Sequence, residues 1–416
     1  MSLSVQPAYS ALVMGALASP NAGVAEAIFT LRHNPRAKVT ISDTADQISR
    51  HFDALARWSG NITALTVSDA GNAQPGLVQV SAAQFRQNAK LIAKFTDNAI
   101  FNVSQSSASY ASTLENHAKV ATFNVKDTSG DISSRWSVLN QSSKLAQVNV
   151  TTPVQNLTLT EQQLNDFSDL LDKFQGPYGL MVNQTAAASA ASLKNDARVR
   201  SLAILDSAAN ISASLNDLVD LGAKLQVIRS TDRPLIEVNA DRLESNALVI
   251  GKIYRGYELS VKQASLSQAA PLVSNRKLAS IEVVDTAANI AAHLDTLAKL
   301  GSDLTSIHIT DTSNHLQLTS DDYQTYANVL AKIQADDDYQ VDLTEASVQE
   351  AQILGADTRV SKISVSDTAG MISANLATLA SNDKIDQIYT LGKSKTIQVA
   401  YAQLDQNAAL AKITND

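Results

Sequence analysis

Five times along the chain a carboxylate stands directly before a hydroxyl: Asp43-Thr44 in ISDTADQI, Asp127-Thr128 in VKDTSGDI, Asp206-Ser207 in ILDSAANI, Asp285-Thr286 in VVDTAANI and Asp367-Thr368 in VSDTAGMI. An acid beside a hydroxyl could ligate a metal or relay a proton. The same two residue types are also what the start of a helix requires, because their side-chain oxygens accept from its free amide groups. Each pair follows β-branched residues at alternating positions and precedes an apolar stripe, so Asp43, Asp127, Asp206, Asp285 and Asp367 read as structural helix caps, each for the helix that follows it.

Other chemistry is sparse. No G-x-S-x-G elbow, Walker loop, G-x-G-x-x-G or H-E-x-x-H occurs, and the six histidines are dispersed. His308 and His315 lie near Asp311, but on a strand and the loop beyond it, where a solvated face is the expectation. Asp336, Asp337 and Asp338 lack the spaced ligands and turn glycine of a calcium loop and read as a solvated helix end. The reading is therefore of no catalytic residues, no metal site, no cofactor and no enzyme.

The elements that position the acids come from a repeat. The five acids are spaced 84, 79, 79 and 82 residues apart, and a fixed period organises everything else. After Asp285 the residues Ile290, Leu294 and Leu297 follow helical spacing, and the other copies carry the same stripe, as in Ile48, Phe52, Leu55 and Ile211, Leu215, Leu218. A second strand (LTSIHITD), an extended piece leading into a second helix (LQLTSDDYQTYANVLAKI) and a further strand and helix (YQVDLTEASVQEAQIL) complete each unit. Three strand-to-helix steps in ~80 residues predict an α/β repeat solenoid of stacked β-α coils with parallel strands and helices outside, in about five repeats. These begin near residues 39, 121, 201, 280 and 361, so residues 39–416 read as one continuous solenoid and 1–38 as a partial repeat, cap or assembly segment. A row of separate small domains would need linkers, and the 8 Pro and 15 Gly are scattered.

The phase of the repeat suggests an interface. LSVQPA from Leu3 aligns with LSVKQA from Leu259, while Ile397 to Ile413 matches the second-helix segment. Leu3 and Val5 would form a first strand, and Ile397, Val399, Leu410 and Ile413 would line a last coil, so that one subunit's last coil accepts the next subunit's first strand. The competing expectation is that residues 1–38, with their insertion at Pro20-Asn21, fold over as a cap, or that the chain is a piece of something longer.

Net charge of −8 and a pI near 5.3 leave no basic footprint for nucleic acid or anionic lipid. The chain has 44% hydrophobic residues, enough for a long core, only 5% aromatic residues and no cysteine. The apolar run before Phe29 contains Pro20, lacks a basic region ahead of it and is too short to span a bilayer, so neither a cleaved signal nor membrane insertion is expected.

The phrase V-x-D-T-A-A-N-I-x-x-x-L-D-x-L at Val283 to Leu297, with LTSIHITD and LQLTSDDY after it, resembles the internal repeats of large proteobacterial secreted surface proteins, many exported by type I secretion. The resemblance covers nearly the whole chain from Val39 and marks a scaffold without catalytic residues. It implies an extracellular or cell-surface protein, exported without a cleaved N-terminal signal, that acts as adhesin, biofilm matrix or surface layer. The calcium-binding G-G-x-G-x-D nonapeptides of such proteins are absent from this sequence. The first function class is thus a self-associating structural protein. The alternative is an adhesin that binds a cell-surface glycan or host partner, with Trp58, Tyr254, Tyr257, Tyr323 and Tyr326 as aromatics to probe. A hidden glycoside-active enzyme ranks third.

Overall fold

The computed structural model describes residues 21–416 apart from 71–75, 97–98, 153, 313, 402–403, 405–407 and 415–416. The chain divides into two compact units, one built from residues up to Thr185 with Ser192–Ala203, the other from Ala186–Ala191 with Ile204 onward.

In the first unit Val39–Asp43 pairs in parallel with Ile62–Val67, flanked by single bridges to Ala22 and Phe95. A second ladder runs Gly76–Ser81, Ala99–Ser106, Val120–Asp127, Leu145–Val150 and the short Phe174–Gln175, all parallel. Leu157–Thr160 and Leu180–Thr185 begin a third. In the second unit one ladder runs Leu235–Asn239, Glu258–Ala264, Leu278–Asp285 and Leu304–Ile309, and another His315–Thr319, Gln340–Ala346, Val360–Thr368 and Ile385–Leu391. The protein is therefore α/β with several short parallel sheets. Short helices join the strands, and the alternate residues that make each strand amphipathic, such as Ile281 and Val283, are wholly buried with Ile290 and Leu297 of the helix that follows.

The strands do not form the single ladder that side-by-side crossovers would give. Each ladder opens on a new strand and is closed by a residue that arrives late. Ile307 bridges Ile333, which follows His315–Thr319, the opening strand of the next ladder. The Ile307 N–H donates to the Lys332 carbonyl at 2.9 Å, and the Gln334 N–H donates to the Ile307 carbonyl at 3.0 Å. Leu65 to Phe95, Val148 to Phe174, Ile228 to Ile253 and Ile388 to Ile413 repeat this step. A chain segment thus starts one ladder, returns to close the previous one, and goes back.

What stops an opening strand from extending the previous ladder is a helix laid on its outer edge. The Ser49 hydroxyl accepts from the Gln79 N–H at 2.8 Å, Ser133 from Thr158 at 2.8 Å, Ser212 from Glu237 at 2.9 Å and Ser373 from Gln398 at 2.7 Å. Ser49, Ser212 and Ser373 also donate to a carbonyl one turn back in their own helices. An edge N–H that could template further pairing is in this way occupied by a side chain. At the matching place in the fourth repeat stands Ala291, opposite Gln317.

The helix after each acid is less regular than its stripe suggests. Only Ala208–Val219 is continuous; the others break at His51, Arg135, His293 and Asn375, whose φ of −109° to −129° and ψ of 13° to 25° depart from the helix. The stripe stays buried across each break, as at Ile48, Phe52 and Leu55 around His51 and at Ile290, Leu294 and Leu297 around His293.

Ser212→Ala is expected to lower stability by about 1 kcal/mol through its lost hydrogen bonds, whereas Ala291→Ser, which restores the missing hydroxyl, should be neutral or stabilising by a few tenths. Urea denaturation monitored by circular dichroism reads both changes. A stabilised Ser212→Ala would refute the edge-covering role.

Candidate functional site

The five acids sit at the C-terminal ends of parallel strands, the edge at which α/β sheets generally bind ligands. Here that edge is occupied by the protein itself. Each helix after an acid is capped by the hydroxyl: Thr44, Thr128, Ser207, Thr286 and Thr368 accept from Gln47, Asp131, Asn210, Asn289 and Met371. The acids Asp43, Asp127, Asp206, Asp285 and Asp367 cap a different helix from the one expected. One carboxylate oxygen of each accepts the first amide of the helix 19 residues earlier, from Val24 at 2.8 Å, Ala108 at 2.8 Å, Ala187 at 2.9 Å, Leu266 at 2.9 Å and Val348 at 3.1 Å. The other oxygen accepts from the N–H of the hydroxyl residue, as in Asp285 to Thr286 at 2.8 Å.

The backbone before four of those five earlier helices is bent to make this reach. Gln105, Gln184, Gln263 and Glu345 have φ of 56°, 54°, 54° and 57°, a left-handed conformation that costs a side chain on the order of 1 kcal/mol. At Gln105, Gln263 and Glu345 the ladder register slips, giving a bulge that turns the chain into the helix, and Ser106, Ala264 and Ala346 beyond it are wholly buried.

A second set of oxygens, on the neighbouring strand ends, was not foreseen. Asp69, Asp232 and Asp311 accept the N–H of Ala45, Ala208 and Ala287 at 2.9, 2.8 and 2.8 Å, each 24 residues earlier. The Thr152 hydroxyl takes the corresponding place for Ser129 at 3.0 Å. The signal was available in the repeated strand endings TVSD, STD and ITD, with VTT as the neutral variant.

Burial on its own would raise Asp285, but the Leu266 N–H, the Asn289 amide and the Thr286 N–H hold it below the ordinary aspartate value. At Asp206 burial likewise opposes, and the Asn210 amide with the Ala187 and Ser207 amides prevails and lowers it. These donors account for the Asn four residues after each of the two acids.

The residues expected at an interface are placed unequally. Leu3 and Val5 lie outside the described residues. Ile397 and Val399 are half-buried in a segment without strand assignment that has no ladder partner among the described residues, and Leu410 and Ile413 are half-buried too. The equivalent Leu316 and Leu318 of the preceding repeat are 0% and 3% exposed. Of the aromatics, the ring of Tyr254 is 49% exposed and faced by the guanidinium groups of Arg229 and Arg255, Lys277 sits over Tyr257, and the Tyr323 hydroxyl donates to Asp357 at 2.7 Å. Trp58 and Tyr326 are half-buried. Among the described residues no helix is long and apolar enough to cross a membrane. No protein-family model matches the chain, and no curated protein matches it in sequence.

Replacing Asp285 with Ala leaves the Leu266 and Thr286 amides without an acceptor and should cost about 2 kcal/mol, more than the roughly 1 kcal/mol expected for Thr286→Ala as loss of an ordinary cap. Amide exchange locates the effect: Asp285→Ala should speed exchange at Leu266, in the earlier helix, and Thr286→Ala at Asn289. The opposite pattern would contradict the assignment.

Because Asp206 and Asp285 are lowered in the folded chain, their contribution to stability is complete above the unfolded aspartate value near pH 4 and is lost as pH falls through the folded values. Stability measured in urea from pH 6 to pH 2 should decline below about pH 4. The decline should be shallower in Asp206→Asn with Asp285→Asn.

Proposed function

We propose that the chain is a non-enzymatic extracellular structural protein, its β-α repeats stacked as a solenoid, whose copies associate head to tail into a cell-surface fibre, matrix or surface layer. The observation that carries this reading is the segment around Ile397 and Val399, which lies outside any strand or helix. On one side the Gln398 N–H is bonded to Ser373, as in internal opening strands. On the other side the described residues supply no ladder partner, and the two apolar side chains remain half-exposed.

Internal repeats indicate what completes such an edge. Ile236 and Val238 of an opening strand stand opposite Leu259 and Val261, and Leu316 and Leu318 opposite Val341 and Leu343. Leu3-Ser4-Val5 repeats the pattern of Leu259-Ser260-Val261. A second copy would therefore add a parallel strand with Leu3 opposite Ile397, Ser4 opposite Gln398 and Val5 opposite Val399. A heterologous contact of this kind propagates, and it closes or extends according to the rotation per subunit. Resemblance to secreted surface repeats supports the extracellular setting.

The chain has no cysteine, so a disulfide reports this register without background. Ser4→Cys with Gln398→Cys, oxidised under native conditions, is expected to give a ladder of covalent multimers. Wild-type protein should scatter light above the 44.3 kDa of one chain and show regular assemblies by negative stain. A clean monomer with no intermolecular crosslink, in calcium and in chelator alike, would overturn the head-to-tail reading.

A further inference from the structure

The late-arriving strand residue of the fourth repeat brings together side chains that sequence reasoning assigned to solvent. His308 directly follows Ile307, the residue bridged to Ile333, and Asp336 and Asp337 lie in the single turn Ala335–Asp337 just after that bridge. Ligating atoms of His308, Asp336 and Asp337 all lie within 4.8 Å of one another. The Asp337 Oδ2 is buried and has no hydrogen-bond partner, and it faces the His308 Nδ1 at 3.8 Å, too far for a hydrogen bond. A buried carboxylate oxygen left in that state is costly unless something occupies the space before it.

The surroundings are built to hold these groups. The Asn314 amide donates to the carbonyls of both Asp337 and Asp338, at 3.0 and 2.7 Å, and so fixes the turn from outside. Asp338 closes the turn with a left-handed φ of 41°. On the far side of the imidazole, the His308 Nε2 is 3.9 Å from Glu282, whose other oxygen is 3.6 Å from Lys262. At that distance Glu282 makes no hydrogen bond to the ring, and it places a carboxylate on the side of the imidazole away from Asp337.

We propose that His308, Asp336 and Asp337 form a binding site for one divalent transition-metal ion, with His308 Nδ1 and one oxygen from each carboxylate as ligands. One nitrogen and two carboxylate oxygens suit zinc, cobalt or manganese rather than calcium, which takes six or more oxygens. Ligands around a tetrahedral ion sit about 3.3 Å apart, so rotations of the three side chains must draw the 3.8 Å His308–Asp337 pair and the Asp336 carboxylate closer together to close the set. Water would complete the coordination. At the equivalent positions of the other repeats stand Thr66, Asn149, Arg229 and Tyr389, so the site belongs to the fourth repeat alone. Its structural effect is to tie the closing segment to the ladder it closes.

The test is calorimetric titration of the chelator-treated full chain with zinc chloride, repeated with manganese and calcium chloride. Wild type should bind one zinc ion saturably, and His308→Ala and Asp337→Asn should each weaken binding at least tenfold. His315→Ala, which removes a histidine 3.3 Å from Asp342 and outside the set, should leave it unchanged. Circular dichroism of the metal-free variants shows that they remain folded, and the visible absorption of bound cobalt gives a second readout that depends on the ligand set. Zinc binding unaltered by both substitutions, or no saturable binding by wild type below millimolar metal, would overturn the proposal.

Discussion

A helix leaves its first amides without partners, and in this chain the rest of the structure depends on where their acceptor comes from. Neighbouring residues supply part of the need, but the first amide of the helix before each of the five acids takes its oxygen from the end of a strand 19 residues later. The bond joins two consecutive steps of the chain across the sheet edge. It explains a feature of the repeat that composition does not: the period varies from 79 to 84 residues, while the 19-residue span is constant and the 24-residue span changes by a single residue, at Thr152. Insertions are tolerated where no such bond is crossed.

This constraint also accounts for the strained residues. Gln105, Gln184, Gln263 and Glu345 adopt a conformation that glycine would take more readily, yet none is glycine. The bend they create, a ladder bulge at Gln105, Gln263 and Glu345, sends the chain into the helix with its first amide aimed at the acid. A charge-assisted bond of roughly 1.5–3 kcal/mol, recovered at each repeat, is enough to offset the local cost. Strain here serves the scaffold.

Much of this was legible in the sequence and part was not, for physical reasons. Alternating Ile281 and Val283 and the spaced Ile290, Leu294 and Leu297 announce a strand and a helix because burial imposes those periods. The acid and hydroxyl announce caps because few other residues accept from free amides. Which helix an acid caps is a question of tertiary distance: Asp285 is two residues from Ala287 in sequence, but its oxygen meets Leu266 in space. The break between ladders was likewise hidden, since it goes with a helix lying on the edge of the opening strand, bonded to it through a hydroxyl such as Ser49 or Ser212 but present also at Ala291, and no local pattern reveals that outward partner. The cluster at His308 was hidden for the same reason, because Asp337 reaches it only through the return of Ile333 to the earlier ladder.

That return separates two kinds of position. Residues that make the bridges are apolar in every repeat, Leu65, Val148, Ile228, Ile307 and Ile388, because they are core as well as ladder. The residue immediately after each bridge faces the opposite way and differs every time: threonine, asparagine, arginine, histidine and tyrosine. Packing fixes the first set and leaves the second free, while the short turn after the closing residue supplies a second variable surface close by, Tyr254 and Arg255 beside Arg229 in one repeat and Asp336 and Asp337 beside His308 in the next. Chemical individuality can therefore enter one repeat at a time at this place without disturbing the clasps that define all of them.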